Sequence, residues 1–209
     1  MIQVKDGDRI LFLGDSITDV KFNRRQNKNL GGKKIYAKQV AEQLKKQHKN
    51  LTFFYKGIAS NRSYHVYDRL TQDCMALKPN VLVLLIGVND AWETFKPEDF
   101  PPQLRPFEPH MQEIFRRIHM ELPETKVILL LPFLIDTIQE KEPFHAVLEG
   151  YCETLKQLSA GVADVVVELQ PAFTAAEEQT EPYLLSHDGI HPTELGHSVI
   201  ANEVLKVLK

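Results

Sequence analysis

The stretch Ile10-Leu11-Phe12-Leu13-Gly14-Asp15-Ser16-Ile17-Thr18-Asp19 decides how this chain folds. Four consecutive apolar residues closed by a glycine describe a short strand buried on both faces, as in a parallel sheet, because a half-exposed strand would alternate apolar and polar positions. Such a strand carries Ser16 to the point where the chain leaves the sheet. In open parallel sheets ligands bind in the crevice beyond the carboxyl ends of the strands, so a hydroxyl there is presented rather than packed away. Ser and Asp also cap helices, so chemistry at Ser16 requires a base and an oxyanion stabiliser further along the chain.

The rest of the sequence supplies the sheet that this strand needs. Apolar runs at 51–55, 81–86, 127–131 and 165–169 read as four more strands, the run Val81-Leu82-Val83-Leu84-Leu85-Ile86 being the most apolar and therefore the expected sheet centre. Between them, apolar residues at helical spacing mark helices at 35–46, 66–77, 111–122 and 144–158, a short one opened by Pro171, and a last one at 194–208. The segment 19–34 carries Lys21, Arg24, Arg25, Lys28, Lys33 and Lys34 and reads as a solvated loop or as a basic rim for an anionic part of a substrate. Residues 92–109, dense in Pro and Phe, read as irregular. Strands alternating with helices predict a parallel sheet with right-handed crossovers, covered on both faces.

Composition limits the function. At 209 residues the chain fits one domain spanning 1–209. With 25 basic against 28 acidic residues, a net charge of -3 gives no general affinity for nucleic acid. No apolar run approaches a membrane span and residues 1–8 contain no signal-peptide core, so a cytoplasmic location is expected. Cys74 and Cys152 are too few for a disulfide framework or a zinc site.

Parallel strands put all their carboxyl ends on one edge, so Ser16, Ser60 and Asn89 can meet there, with Asp188 and His191 folding over from a late loop. Asp three residues before His suits a carboxylate that orients the imidazole. These blocks resemble the SGNH, or GDSL-type, hydrolase family: Gly14-Asp15-Ser16-Ile17-Thr18 matches its nucleophile block, Gly87-Val88-Asn89-Asp90 its Gly-x-Asn-Asp block, and Asp188-Gly189-Ile190-His191-Pro192 its Asp-x-x-His block. Lys56 to Arg62 and Asn89-Asp90-Ala91-Trp92 further resemble the branch that includes microbial acetylxylan esterases. The resemblance implies a flavodoxin-like three-layer α/β sandwich around a five-stranded parallel sheet. It also implies Ser16, Asp188 and His191 as catalytic residues, with Ser16, Ser60 and Asn89 forming the oxyanion hole. One position departs from the pattern: Ser60 stands where the family usually has Gly, which keeps the N–H but restricts the backbone and adds a side chain.

The chemistry expected is ester hydrolysis through an acyl-enzyme, with short acyl groups, acetyl foremost, removed from a carbohydrate or similar small ester. A lysophospholipase or thioesterase of the same fold is the alternative within that chemistry, and a non-catalytic flavodoxin-like binding module the alternative outside it. No cofactor or metal is needed: His187 and His191 are four apart, but Gly189 and Pro192 argue against a helical metal pair. Asp15 and Asp90 read as loop ties rather than acid–base groups, with Asp15 grouped beside Trp92 on the substrate side. Trp92 either floors a sugar site or plugs its loop. Phe133 and Phe144 read as core or as an acyl wall, and the other histidines as packing or surface residues. The expected partner is a small ester, and homo-oligomerisation stays open.

Overall fold

In the computed structural model, which describes residues 1–22, 35–99, 106–137, 141 and 143–209, the opening stretch forms strand β1 (Arg9–Gly14), buried from Ile10 onward. Helix α1 (Tyr36–Gln47), β2 (Thr52–Gly57), α2 (Ser63–Asp73), β3 (Val81–Leu85), α3 (Val88–Phe95) and α4 (Phe107–Glu121) follow. The chain then continues through β4 (Lys126–Leu131), α5 (Phe144–Ser159), β5 (Val165–Glu168), α6 (Gln170–Glu177), the single turn α7 (Pro182–Leu185) and α8 (Glu194–Val207). All five strands are parallel, in the order β2-β1-β3-β4-β5. The most apolar strand, β3, is the middle one.

Past the exposed Arg9 and Lys126 that open β1 and β4, the central strands carry no polar side chain, because both faces are covered. Ile10 and Phe12 of β1, with Val81, Val83, Ile128 and Leu130, pack under α1 and α8 through Tyr36, Val40, Leu44, Ile200 and Val204. Leu11 and Leu13, with Leu82, Leu84, Val127 and Leu129, pack under α2 and α4 through Val66, Leu70, Ile114, Phe115 and Ile118. The alternation within each strand follows from the two-residue period of the pleat. Phe133 and Phe144 are core residues, each fully buried. No helix among the described residues is long and apolar enough to cross a membrane.

Three stretches differ from the sequence expectation, the simplest being helix α4, which begins at Phe107, four residues before its apolar period indicated and inside the span read as irregular. Gly87-Val88-Asn89-Asp90 is the start of helix α3 rather than a simple turn, Gly87 taking φ 120° as the chain leaves β3. Val88, Ala91, Trp92 and Phe95 fall at i, i+3, i+4 and i+7 and turn one face inward, so the helical period prevails over the Pro- and Phe-rich composition read there as irregular. The second helix begins at Ser63, three residues earlier than its apolar period indicated, and a 3₁₀ turn, Met75–Leu77, completes it. Of the basic segment, residues 23–34 lie outside the described residues.

The strand order has one consequence for function. From β1 the chain steps to β2 on one side and then crosses back to β3 on the other, and the crevice opens where that direction reverses, between the carboxyl ends of β1 and β3. Ser16 follows β1 by two residues and Asn89 opens the helix after β3.

Candidate active site

Ser16 lies in the turn after β1, 3% exposed, with its Oγ 3.0 Å from Nε2 of His191. The other ring nitrogen, Nδ1, is 2.6 Å from Asp188 Oδ2. An ionised carboxylate can only accept, so Nδ1 carries the proton and Nε2 turns a lone pair to the Ser16 hydroxyl. Asp188 Oδ1 also accepts the backbone N–H groups of Ile190 at 2.9 Å and His191 at 2.8 Å. Burial pushes the Asp188 carboxyl up, but these bonds and the His191 ring outweigh it and hold the group well below the ordinary carboxylate range. The carboxylate therefore stays ionised beside the ring.

The loop bearing Asp188 and His191 is held from beneath. The buried Ser186 hydroxyl donates to the His191 carbonyl at 2.9 Å, and the Gly189 carbonyl accepts from Ile135 N–H at 2.9 Å. Gly189 sits at φ 81°, and a Cβ there would come within 2.8 Å of the Ile135 carbonyl oxygen, so only glycine lets the loop dock on the segment after β4. Lys141 donates to the Asp188 carbonyl from the other side, its ammonium 5.3 Å from the centre of the Trp92 ring. The Phe22 ring lies 5.0 Å from the His191 imidazole.

The segment between β2 and α2 forms the facing wall. Its close approach to the Ser16 turn depends on Gly57, where a Cβ would lie 2.2 Å from the backbone of Thr18. Ala59 N–H donates to Asp19 Oδ2 at 3.1 Å, and Asn89 Nδ2 donates to the Asn61 carbonyl at 2.9 Å, leaving its second amide hydrogen over. Ser60 adopts the left-handed conformation, φ 62°, with its side chain exposed. A non-glycine residue pays about 1–2 kcal/mol for that conformation. The helix start behind it is tied to α3: both Asp90 oxygens accept from Ser63 N–H, at 3.1 and 3.0 Å, and Oδ1 accepts from the Ser63 hydroxyl at 2.6 Å. Burial pushes the Asp90 carboxyl up to about 6, against the pull of those bonds. Arg62 and Glu93 form a further ion pair between the same two elements.

Asp15, grouped by sequence with the substrate-side residues, has no exposed surface. Its Oδ1 accepts the Ile17 N–H at 3.0 Å, and its Oδ2 has no hydrogen-bond partner among the described residues. The turn after β1 points this carboxyl inward while the Ser16 hydroxyl faces His191, so Asp15 braces the turn from below and cannot contact a substrate. Trp92 is partly buried, edge-on to Phe144 with ring centroids 5.1 Å apart. His187 stacks on the exposed Tyr183 ring at 4.5 Å. Sequence reasoning missed Ser63, Glu93, Ser186, Lys141 and Phe22, and gave Arg62 no role of its own. Ser186 two residues before Asp188 is a local hydroxyl signal that was available; the rest are met only through tertiary packing.

The chain is similar to several known proteins. The pattern of the GDSL-like Lipase/Acylhydrolase family matches residues 12–199. An acetylxylan esterase of Geobacillus stearothermophilus is 27% identical over 214 residues, covering 98% of this chain and 95% of that protein. The crystal structure of Axe2, an acetylxylan esterase of the same organism, superposes with a TM-score of 0.82 at 24% identity, covering 98% of this chain and 95% of that one. Three of its solved forms are described as catalytic mutants, with Ala in place of a Ser, an Asp and a His. LAE5, an alpha/beta hydrolase enzyme from the metagenome of Lake Arreo, superposes with a TM-score of 0.81 at 23% identity, covering 97% and 95% of the two chains.

Proposed function

This chain belongs to the GDSL-like lipase/acylhydrolase family, and from that premise we propose that it removes acetyl and other short acyl groups from a carbohydrate or similar small ester, through an acyl-enzyme on Ser16. The observation that carries the reading is the continuous chain of hydrogen bonds from Ser16 Oγ through His191 to Asp188, at 3.0 and 2.6 Å. His191 takes the serine proton as Oγ attacks the carbonyl carbon, and Asp188 stabilises the imidazolium that results. His191 then returns the proton to the leaving alcohol. In the second half of the reaction it activates a water that releases the acid.

Negative charge on the tetrahedral intermediate is received by the N–H groups of Ser16 and Ser60 and by the spare amide hydrogen of Asn89. Each such donor contributes about a hundred- to a thousandfold in rate. The preference for short chains is supported by the 27% identity to an acetylxylan esterase along nearly the whole chain, by the Trp92 ring 5.3 Å from the Lys141 ammonium that holds the Asp188 loop, and by a side chain at position 60.

The test is kcat/KM for aryl acetate, butyrate and octanoate. A channel that buried the six additional CH₂ groups of octanoate would gain about 0.8 kcal/mol for each, a preference on the order of a thousandfold or more for the long ester. A decline from acetate to octanoate is expected, and a steady rise would overturn the short-acyl reading in favour of a lipid or thioester substrate. Ser16→Ala should abolish both turnover and covalent capture by a fluorophosphonate; labelling elsewhere would displace Ser16 as the nucleophile.

A further inference from the structure

We infer that Arg69, on the side of α2 that faces the sheet edge, is the positioning residue that sets the oxyanion hole, by joining three separate backbone elements through one guanidinium. Its Nη2 donates to the Gly14 carbonyl at 2.9 Å, at the end of β1 and two residues before Ser16. Its Nη1 donates to the Lys56 carbonyl at 2.9 Å, at the end of β2, and to Asp73 Oδ2 at 2.8 Å. Its Nε donates to Asn61 Oδ1 at 2.9 Å. Three of the acceptors are therefore the strand end that delivers the nucleophile, the strand end that leads to Ser60, and the side chain of the residue after Ser60.

Asn61 is the link that carries this outward. Its side chain is held by Arg69 while its backbone carbonyl accepts from the Asn89 amide. Arg69 thereby fixes at once the strained left-handed turn that presents the Ser60 N–H and the acceptor that orients Asn89 Nδ2. A planar fork with five N–H groups is suited to three differently placed acceptors plus a carboxylate, whereas an ammonium group has a single nitrogen from which to reach them. Lys56 also pairs with Asp73, at 2.7 Å, so removing the guanidinium does not strand that carboxylate. The inference rests on the esterase reading of the site.

The experiment uses the full chain with aryl acetate. Arg69→Ala should lower kcat about a hundredfold, the size expected when a donor shifts away from the developing charge, with KM near its wild-type value. Added guanidinium at non-denaturing concentration should restore a large part of the loss. The double variant Arg69→Ala/Asn89→Ala should lose clearly less than the product of the two single losses, since part of the effect of Arg69 passes through that amide and the rest through Ser60. Fully additive losses, or a fall in activity that tracks only the folded fraction, would overturn the inference. Arg69→Lys, which retains the charge beside Asp73, should show the same kcat loss and covers the case in which the alanine variant does not fold. The Asn89 side-chain amide resonances supply a readout independent of turnover: they should move in Arg69→Lys, and if they stay in place the inference fails. A wild-type protein that hydrolyses no ester would instead overturn the proposed function, and the resonances would still decide the role of Arg69.

Discussion

Replacing Asp15 by Asn should stabilise the protein at pH 8 far more than at pH 5. The side chain is fully buried with one oxygen unpartnered among the described residues. Burial pushes its carboxyl up from an ordinary 3.8 to about 7, helped by Asp90 and opposed by the Ile17 N–H and by His191. Because the folded value lies above the unfolded one, the native state holds a proton that the unfolded chain has already released. The contribution to stability is complete below about pH 4 and is lost as pH rises to about 7. Between pH 5 and pH 8 the native carboxyl gives up roughly two units of that advantage, or about 3 kcal/mol at ~1.36 kcal/mol per unit. Asn has nothing to ionise, so its advantage over Asp should grow by that amount, equivalent to about 6–12 °C in Tm for a chain of this length. Any cost of placing an amide there is the same at both pH values and cancels. Urea unfolding followed through the single tryptophan, Trp92, measures the difference. An Asn variant whose stability relative to wild type is the same at pH 5 and pH 8 would refute the buried, proton-holding carboxyl.

Two further outcomes follow from the site. Asp188→Asn keeps the shape of the side chain but removes the charge that fixes the His191 tautomer, so kcat should fall about ten-thousandfold with the fold intact by circular dichroism; a loss of less than tenfold would remove Asp188 from the mechanism. Ser60→Gly relieves the left-handed strain at φ 62°, offset by the greater freedom of glycine in the unfolded chain, for a net gain of about 1 kcal/mol or less in urea unfolding. If the hydroxymethyl group limits the acyl site, the same variant should also shift preference toward butyrate; an unchanged chain-length profile would assign that limit to Trp92 or to neither residue.

Much of the fold was legible because burial on both faces leaves a strong mark. Runs such as Val81–Leu85 have no polar positions, and no other element of a chain this short needs that pattern. Helix α3 was legible as well, in the spacing of Val88, Ala91, Trp92 and Phe95, but composition obscured it. The three chemical blocks stood out for a different reason. Each is a local motif in which neighbours in sequence must cooperate, as Asp188 does with the backbone and ring of His191 only three residues on.

By itself, then, the sequence determined the class of fold and the family of chemistry, and it singled out the Ser, Asn, Asp and His side chains proposed to carry that chemistry, because those rest on periodicity and on short-range spacing. Only the tertiary structure decided where they meet. That β1 lies between β2 and β3, opening the crevice between Ser16 and Asn89, depends on how distant strands pair, and chain order alone permits other arrangements. The inward turn of Asp15, the left-handed backbone at Ser60 and the reach of Arg69 to Gly14, 55 positions away, likewise come from packing between segments far apart in the chain, which leaves no local trace in the residues themselves.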